Sequence, residues 1–165
     1  MLTIIGCGNL NRSDDGSGVL IAQRLIHWVN AQGLQHVTVF DAGTAGMEVM
    51  FRARGAKRLI IIDASNSGSD PGAVFRVPGA ELELDHEPSY SRHDFRWDHA
   101  LYAGRRIFGA DFPSDVTVFL IEAAELGLGF ELSAPVRHSA DIVIADIQRI
   151  INQHAAQAPQ IPCDA

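Results

Sequence analysis

Arg58-Leu59-Ile60-Ile61-Ile62-Asp63 is an unbroken apolar run closed by a carboxylate. It is short, rich in β-branched residues and free of polar alternation, so it has no solvent face. Such a segment is expected as the central strand of a parallel sheet covered on both sides. The rest of the chain fits that demand. Strand-like runs at 2–6, 37–40, 73–77 and 115–122 alternate with helical-period segments at 15–31, 47–54 and 95–108, and a terminal helix opens at Ser133 and Pro135. Val136, Ile142, Val143, Ile147 and Ile150 are expected to form the apolar stripe of that last helix. The pattern predicts an α/β fold: a single three-layer domain with a mainly parallel, twisted, five-stranded sheet and helices on both faces. The alternating 73–77 run, stopped by Pro78, is expected at an edge and antiparallel.

With 165 residues, nearly half of them apolar, the chain has enough material for one continuous core. One domain is expected over 1–155, with a flexible tail over 156–165. No run approaches the roughly 18 apolar residues of a membrane helix, and the opening Leu2-Thr3-Ile4-Ile5 reads as strand rather than as an export signal. A cytoplasmic protein that engages no membrane is therefore expected. A formal charge of −7 and a single lysine, Lys57, argue against a nucleic-acid footprint, which needs clustered cations. Cys7 and Cys163 lie at opposite ends of the chain, which speaks against a disulfide framework or a cysteine metal site.

Ligands of open α/β sheets bind beyond the carboxyl ends of the strands. The polar residues expected there are Asp14 and Asp15 after the first strand, Asp41 after the second, Asp63 after the third, Glu122 after the last, and His93 just before a helix. Asp15 precedes Gly16, whose missing side chain leaves room for a ligand. Asp14 reads more simply as a complement to the helix dipole, with Ser13 as the cap. Asp15 and Asp63 with His93 would make a hard-to-borderline metal site with open positions. Gly43, Thr44 and Gly46 form a turn whose glycines permit close approach of another group. Asp14, Asp41 and Glu122 stand as secondary candidates. The first turn, Gly6-Cys7-Gly8-Asn9-Leu10-Asn11, is a poor dinucleotide fingerprint, because Asn11 takes the third glycine's place and two carboxylates would meet the pyrophosphate.

Gly6-Cys7-Gly8-Asn9 through Asp14-Asp15-Gly16-Ser17-Gly18 resembles the G-x-G-N-x-x-x-x-D-[DE]-G-x-G opening of the nickel-iron hydrogenase maturation proteases. Gly43-Thr44-Ala45-Gly46-Met47-Glu48, Leu59 to Gly72, Ile121-Glu122, Gly127-Leu128-Gly129 and Ser133 to Pro135 are similar to later family segments, in the same order. The resemblance implies an endopeptidase, commonly grouped with the aspartic-type peptidases. It would remove the C-terminal extension of a hydrogenase large-subunit precursor once nickel is installed. Asp15, Asp63 and His93 would then occupy the family's metal-contacting positions and Asp15 and Asp63 the catalytic ones, with no permanently bound cofactor, because the nickel belongs to the substrate. The sequence departs from the family at Cys7, Asn11 and Asp41, none of which is a principal position. Two other readings compete. A phosphorylation receiver also places acids after strands one and three, but has a lysine where this chain has Glu122. A nucleotide-binding module would use Asp41 on a ribose, but Asn11 and the acidic pair count against it.

Overall fold

The computed structural model describes residues 1–82 and 97–157. Five strands form one sheet: β1 (Leu2–Cys7), β2 (Val37–Gly43), β3 (Arg58–Ser65), β4 (Val74–Pro78) and β5 (Asp115–Glu122). Their order is β2-β1-β3-β5-β4. All neighbouring pairs are parallel except β4 with β5, so the 58–65 strand is central and the antiparallel strand is at the edge, as expected. The helices are α1 (Ser17–Gln32), α2 (Gly46–Ala53), α3 (Gly79–Leu82), α4 (Trp97–Phe108) and α5 (Ala134–Gln157).

The absence of alternation in β3 has its cause in two separate cores. Ile60 and Ile62 pack with Leu2 and Ile4 of β1 beneath α1 and α5. Leu59 and Ile61 face the opposite side, with Ile5, under α2 and α4. All four of these β3 residues are completely buried, a gross apolar contribution of about 6–12 kcal/mol from one strand. Among the described residues no helix is long and apolar enough to cross a membrane.

Four local expectations are amended. The first helix does not begin at Asp15: Ser13–Gly16 forms a tight 3-10 turn, and α1 starts at Ser17. Ser13 caps neither element; its backbone sits at φ 48°, and its hydroxyl donates to the carbonyl of Gly127 at 3.3 Å. Ile142 is 44% exposed, because the buried stripe of α5 runs through Val136, Ala140, Val143, Ile147 and Ile150, and position 142 falls outside a spacing of three and four. Helix α5 continues to Gln157, into the segment expected to be tail; 158–165 lie outside the described residues, as do 95 and 96 of the expected 95–108 helix.

Candidate active site

The strand order has one switch point. From β1 the chain crosses to β2 on one side, while β3 and β5 continue on the other, and a crevice opens where the two directions part. The last paired residues of β1 and β3 are Gly6 and Ile62. Asp63 is therefore the first β3 residue beyond the β1 pairing, and the loop carrying Asp15 leaves β1 at the same place.

Glycine lets these segments meet. Gly8 has φ +128°, and a Cβ built there would lie 1.8 Å from the carbonyl oxygen of Asp15 and 3.7 Å from Asp63 Oδ1. No larger residue fits between them. On the next layer, a Cβ on Gly18 would lie 2.3 Å from the Ile62 carbonyl oxygen and 2.4 Å from that of Cys7, so the start of α1 rests directly on the backbone of both strands.

The result is a cleft of ≈ 750 Å³ lined by Asp15 and Asp63, the Gly43-Thr44 turn with Gly46, Ser65 to Ser67, Arg12, Trp97 and Leu126 among others. Asp63 is 7% exposed. Its Oδ1 accepts the Ala64 backbone N–H at 2.9 Å, and its Oδ2 accepts the Trp97 indole N–H at 2.7 Å. Asp15 is half-buried and, among the described residues, its carboxylate has no side-chain partner. Arg12 is the one cation among the described lining residues; its Nε and Nη2 donate to the Leu126 carbonyl at 3.1 and 3.0 Å. His93 lies outside the described residues. Asp15 and Asp63 are thus brought to one open cleft and offer two oxygen donors suited to a divalent cation.

The three secondary candidates do other work. Asp14 is fully buried. It does not serve the helix dipole: its carboxylate accepts the backbone N–H groups of Ala124, Glu125 and Ser133 at 2.9, 2.8 and 2.7 Å, and the Ser133 hydroxyl at 2.9 Å. Bonds to a carboxylate contribute about 1.5–3 kcal/mol each, so Asp14 is a latch between the Asp15 turn and the loop after β5. Asp41 is exposed within β2, where Oδ1 accepts the Gly43 N–H and Oδ2 the Gln23 amide, both at 3.0 Å. It is not among the residues lining the cleft; it shapes the Gly43 turn.

Glu122 is 1% exposed. It accepts the hydroxyls of Ser65 and Ser67 and the backbone N–H groups of Ser67, Gly68 and Ser69, at 2.7–3.1 Å. Burial alone pushes its carboxyl up, but these donors outweigh burial and hold it below the ordinary value of 4.5. A depressed folded-state value means that Glu122 stabilises fully above that ordinary value and loses its contribution as pH falls through the lower, folded one. Wild-type protein is therefore expected to show a loss of Tm on acidification below about pH 4.5 that Glu122→Gln lacks, the variant being the less stable of the two at neutral pH. Parallel Tm–pH curves for the two proteins would remove Glu122 as the acid-sensitive clamp.

Residues 19–150 match the model of the hydrogenase maturation protease family. The chain belongs to that family. The hydrogenase 2 maturation protease of Escherichia coli is 27% identical over 152 residues, covering 89% of this chain and 90% of that protein. The hydrogenase expression/formation protein HupD of Thiocapsa roseopersicina is 35% identical over 82 residues, a match spanning 49% of this chain and only 36% of HupD. The fold is that of the hydrogenase maturating endopeptidase HybD from Escherichia coli (TM-score 0.74, 23% identity, 93% of each chain). It is equally that of the maturation protease HycI from Thermococcus kodakarensis (TM-score 0.71, 21% identity, 92% of each chain). Within this maturation-protease chain, sequence reasoning missed Trp97 and Arg12 in the cleft. An aromatic at the start of an amphipathic helix reads as core, and Arg12 as one more polar residue of a loop.

Proposed function

We propose that this member of the hydrogenase maturation proteases is an endopeptidase of the aspartic-type grouping. It removes the C-terminal extension of a nickel-iron hydrogenase large-subunit precursor after nickel insertion. The observation that carries the proposal is that Asp15 and Asp63 both line one cleft at the sheet's switch point, in a chain of that family.

The nickel enters as part of the substrate. Asp63, oriented by two donors, docks with His93 onto it, and Asp15 completes the contact or turns to a water molecule. A carboxylate bound to metal is a weaker base than an unbound one, so Asp15, with no side-chain donor among the described residues, is the better water activator. It takes a proton from water as the oxygen attacks the scissile carbonyl, and the proton passes to the departing amine as the C–N bond breaks. Much of the rate gain comes from holding the peptide bond at a fixed distance from the docked metal. Gly43, Thr44 and Gly46, which also line the cleft, position the tail.

Precursor prepared with nickel should be shortened on incubation with the purified protein, and precursor prepared without it should not, as read by gel mobility and mass. Cleavage of both forms would overturn the metal-docking role. Cleavage of neither would sink the peptidase reading.

A further inference from the structure

We propose that Trp97 is a positioning residue whose indole N–H sets the orientation of the Asp63 carboxylate; the inference rests on the role given to Asp63 above. Trp97 opens α4 and is 5% exposed, and Asp63 is 7% exposed. The bond from Nε1 to Oδ2 is 2.7 Å long, at the short end of the N–H···O range, as charge-assisted bonds are.

Such a donor on Oδ2 restricts the Asp63 carboxylate. The terminal torsion of an aspartate is broad and roughly two-fold, so a backbone bond to Oδ1 from the adjacent Ala64 does not by itself fix the plane of the carboxylate. A donor on the other oxygen does. An indole suits this task for two reasons. It donates and cannot accept, and it carries no charge that changes with pH, so it admits one arrangement only. Its ring is held by the core under α2 and α4, beside Ala100, Leu101, Val49 and Met50, so the position of the N–H is fixed by packing and not by a flexible stem. Trp97 also lines the cleft, so the oxygen it holds stands at the edge of the space the substrate must enter. Hydrogen-bonding partners of metal-contacting carboxylates typically change affinity or activity about 10- to 100-fold when removed.

The test separates the N–H from the ring. In one protein the indole at 97 is replaced by benzothiophene, an isostere with sulfur in place of N–H; in a second, Trp97→Phe removes the donor and keeps an aromatic body. Trp28→Phe, a half-buried tryptophan packed against the opposite core, serves as control. Both changes at 97 are expected to lower kcat/KM for nickel-loaded precursor by about 10- to 100-fold. The benzothiophene protein should melt within a few degrees of wild type, and Trp28→Phe should process at the wild-type rate. Wild-type processing by the benzothiophene protein overturns the proposal, whatever Trp97→Phe does, because a purely packing role would survive the sulfur. Asp63→Asn is assayed alongside. If it too is fully active, the function assigned to Asp63 falls; if it is inactive while the benzothiophene protein is not, only the Trp97 inference falls.

Discussion

Asp15→Asn and Asp63→Asn are each expected to slow processing of the nickel-loaded precursor by about 10²–10⁴-fold, the range over which a positioned acid–base or docking group acts. Their effects on stability should differ. Asp15 is half-buried and its carboxylate has no side-chain bond among the described residues, so its amide variant should stay within about 0.5 kcal/mol of wild type. Asp63 is 7% exposed and, among the described residues, accepts two N–H donors. An asparagine can satisfy only one of them and turns its own NH2 toward the other, at a cost of about 1–3 kcal/mol. Cleavage rates and thermal melts measured on the same preparations check both statements. A wild-type rate in either variant removes that residue from the site, and an Asp15→Asn protein that melts as low as Asp63→Asn contradicts the difference in their surroundings.

Gly18→Ala should have the largest effect on stability. The added methyl would stand 2.3 and 2.4 Å from the carbonyl oxygens of Ile62 and Cys7. These are backbone atoms of the two central strands, fixed by their ladder and unable to swing away as a side chain would. Helix α1 must lift from the sheet, exposing part of the contact that buries Ile21 and Leu25. Overpacking against so stiff a neighbour is expected at the upper end of its range, about 3 kcal/mol, or roughly 6–12 °C in Tm for a chain of this size. Thermal denaturation by circular dichroism measures it. A fall of less than about 2 °C would mean that α1 can shift without penalty and that the close approach is not what holds the site loop down.

The sheet was largely legible in the sequence because burial on both faces leaves a strand no freedom of composition. The 58–63 and 115–122 runs announce β3 and β5 for that reason, and Pro78 marks the edge strand. Asp15 and Asp63 were legible as strand-end acids because topology alone directs such residues to the crevice. What the sequence concealed are partnerships between distant segments. Nothing near Asp14 indicates that its acceptors will be filled by amides at 124, 125 and 133, so a dipole role was the natural local reading. The bond between Trp97 and Asp63 spans 34 residues and leaves no periodic trace. Asp41 and Glu122 look like cleft acids for the same reason as Asp63, yet a donor two residues on, at Gly43, claims the first, and donors more than fifty residues away in sequence, at Ser67 to Ser69, claim the second. Whether a strand-end carboxylate serves chemistry or a turn is decided by the nearest N–H groups, which a list of residue types does not contain.

The latch between the Asp15 turn and the loop after β5 acts on the loop's main chain. Asp14 reads the amides of Ala124 and Glu125, Arg12 the carbonyl of Leu126, Ser13 the carbonyls of Gly127 and Gly129, and Asn11 the amide of Gly129. The side chains of Leu128 and Phe130 take no part in those bonds and project outward, 91% and 79% exposed, whereas any side chain at Gly129 would meet the Ser13 hydroxyl at 2.4 Å. Substitutions at 128 and 130 can therefore change the outer surface of this loop without costing the Asp15 turn a bond.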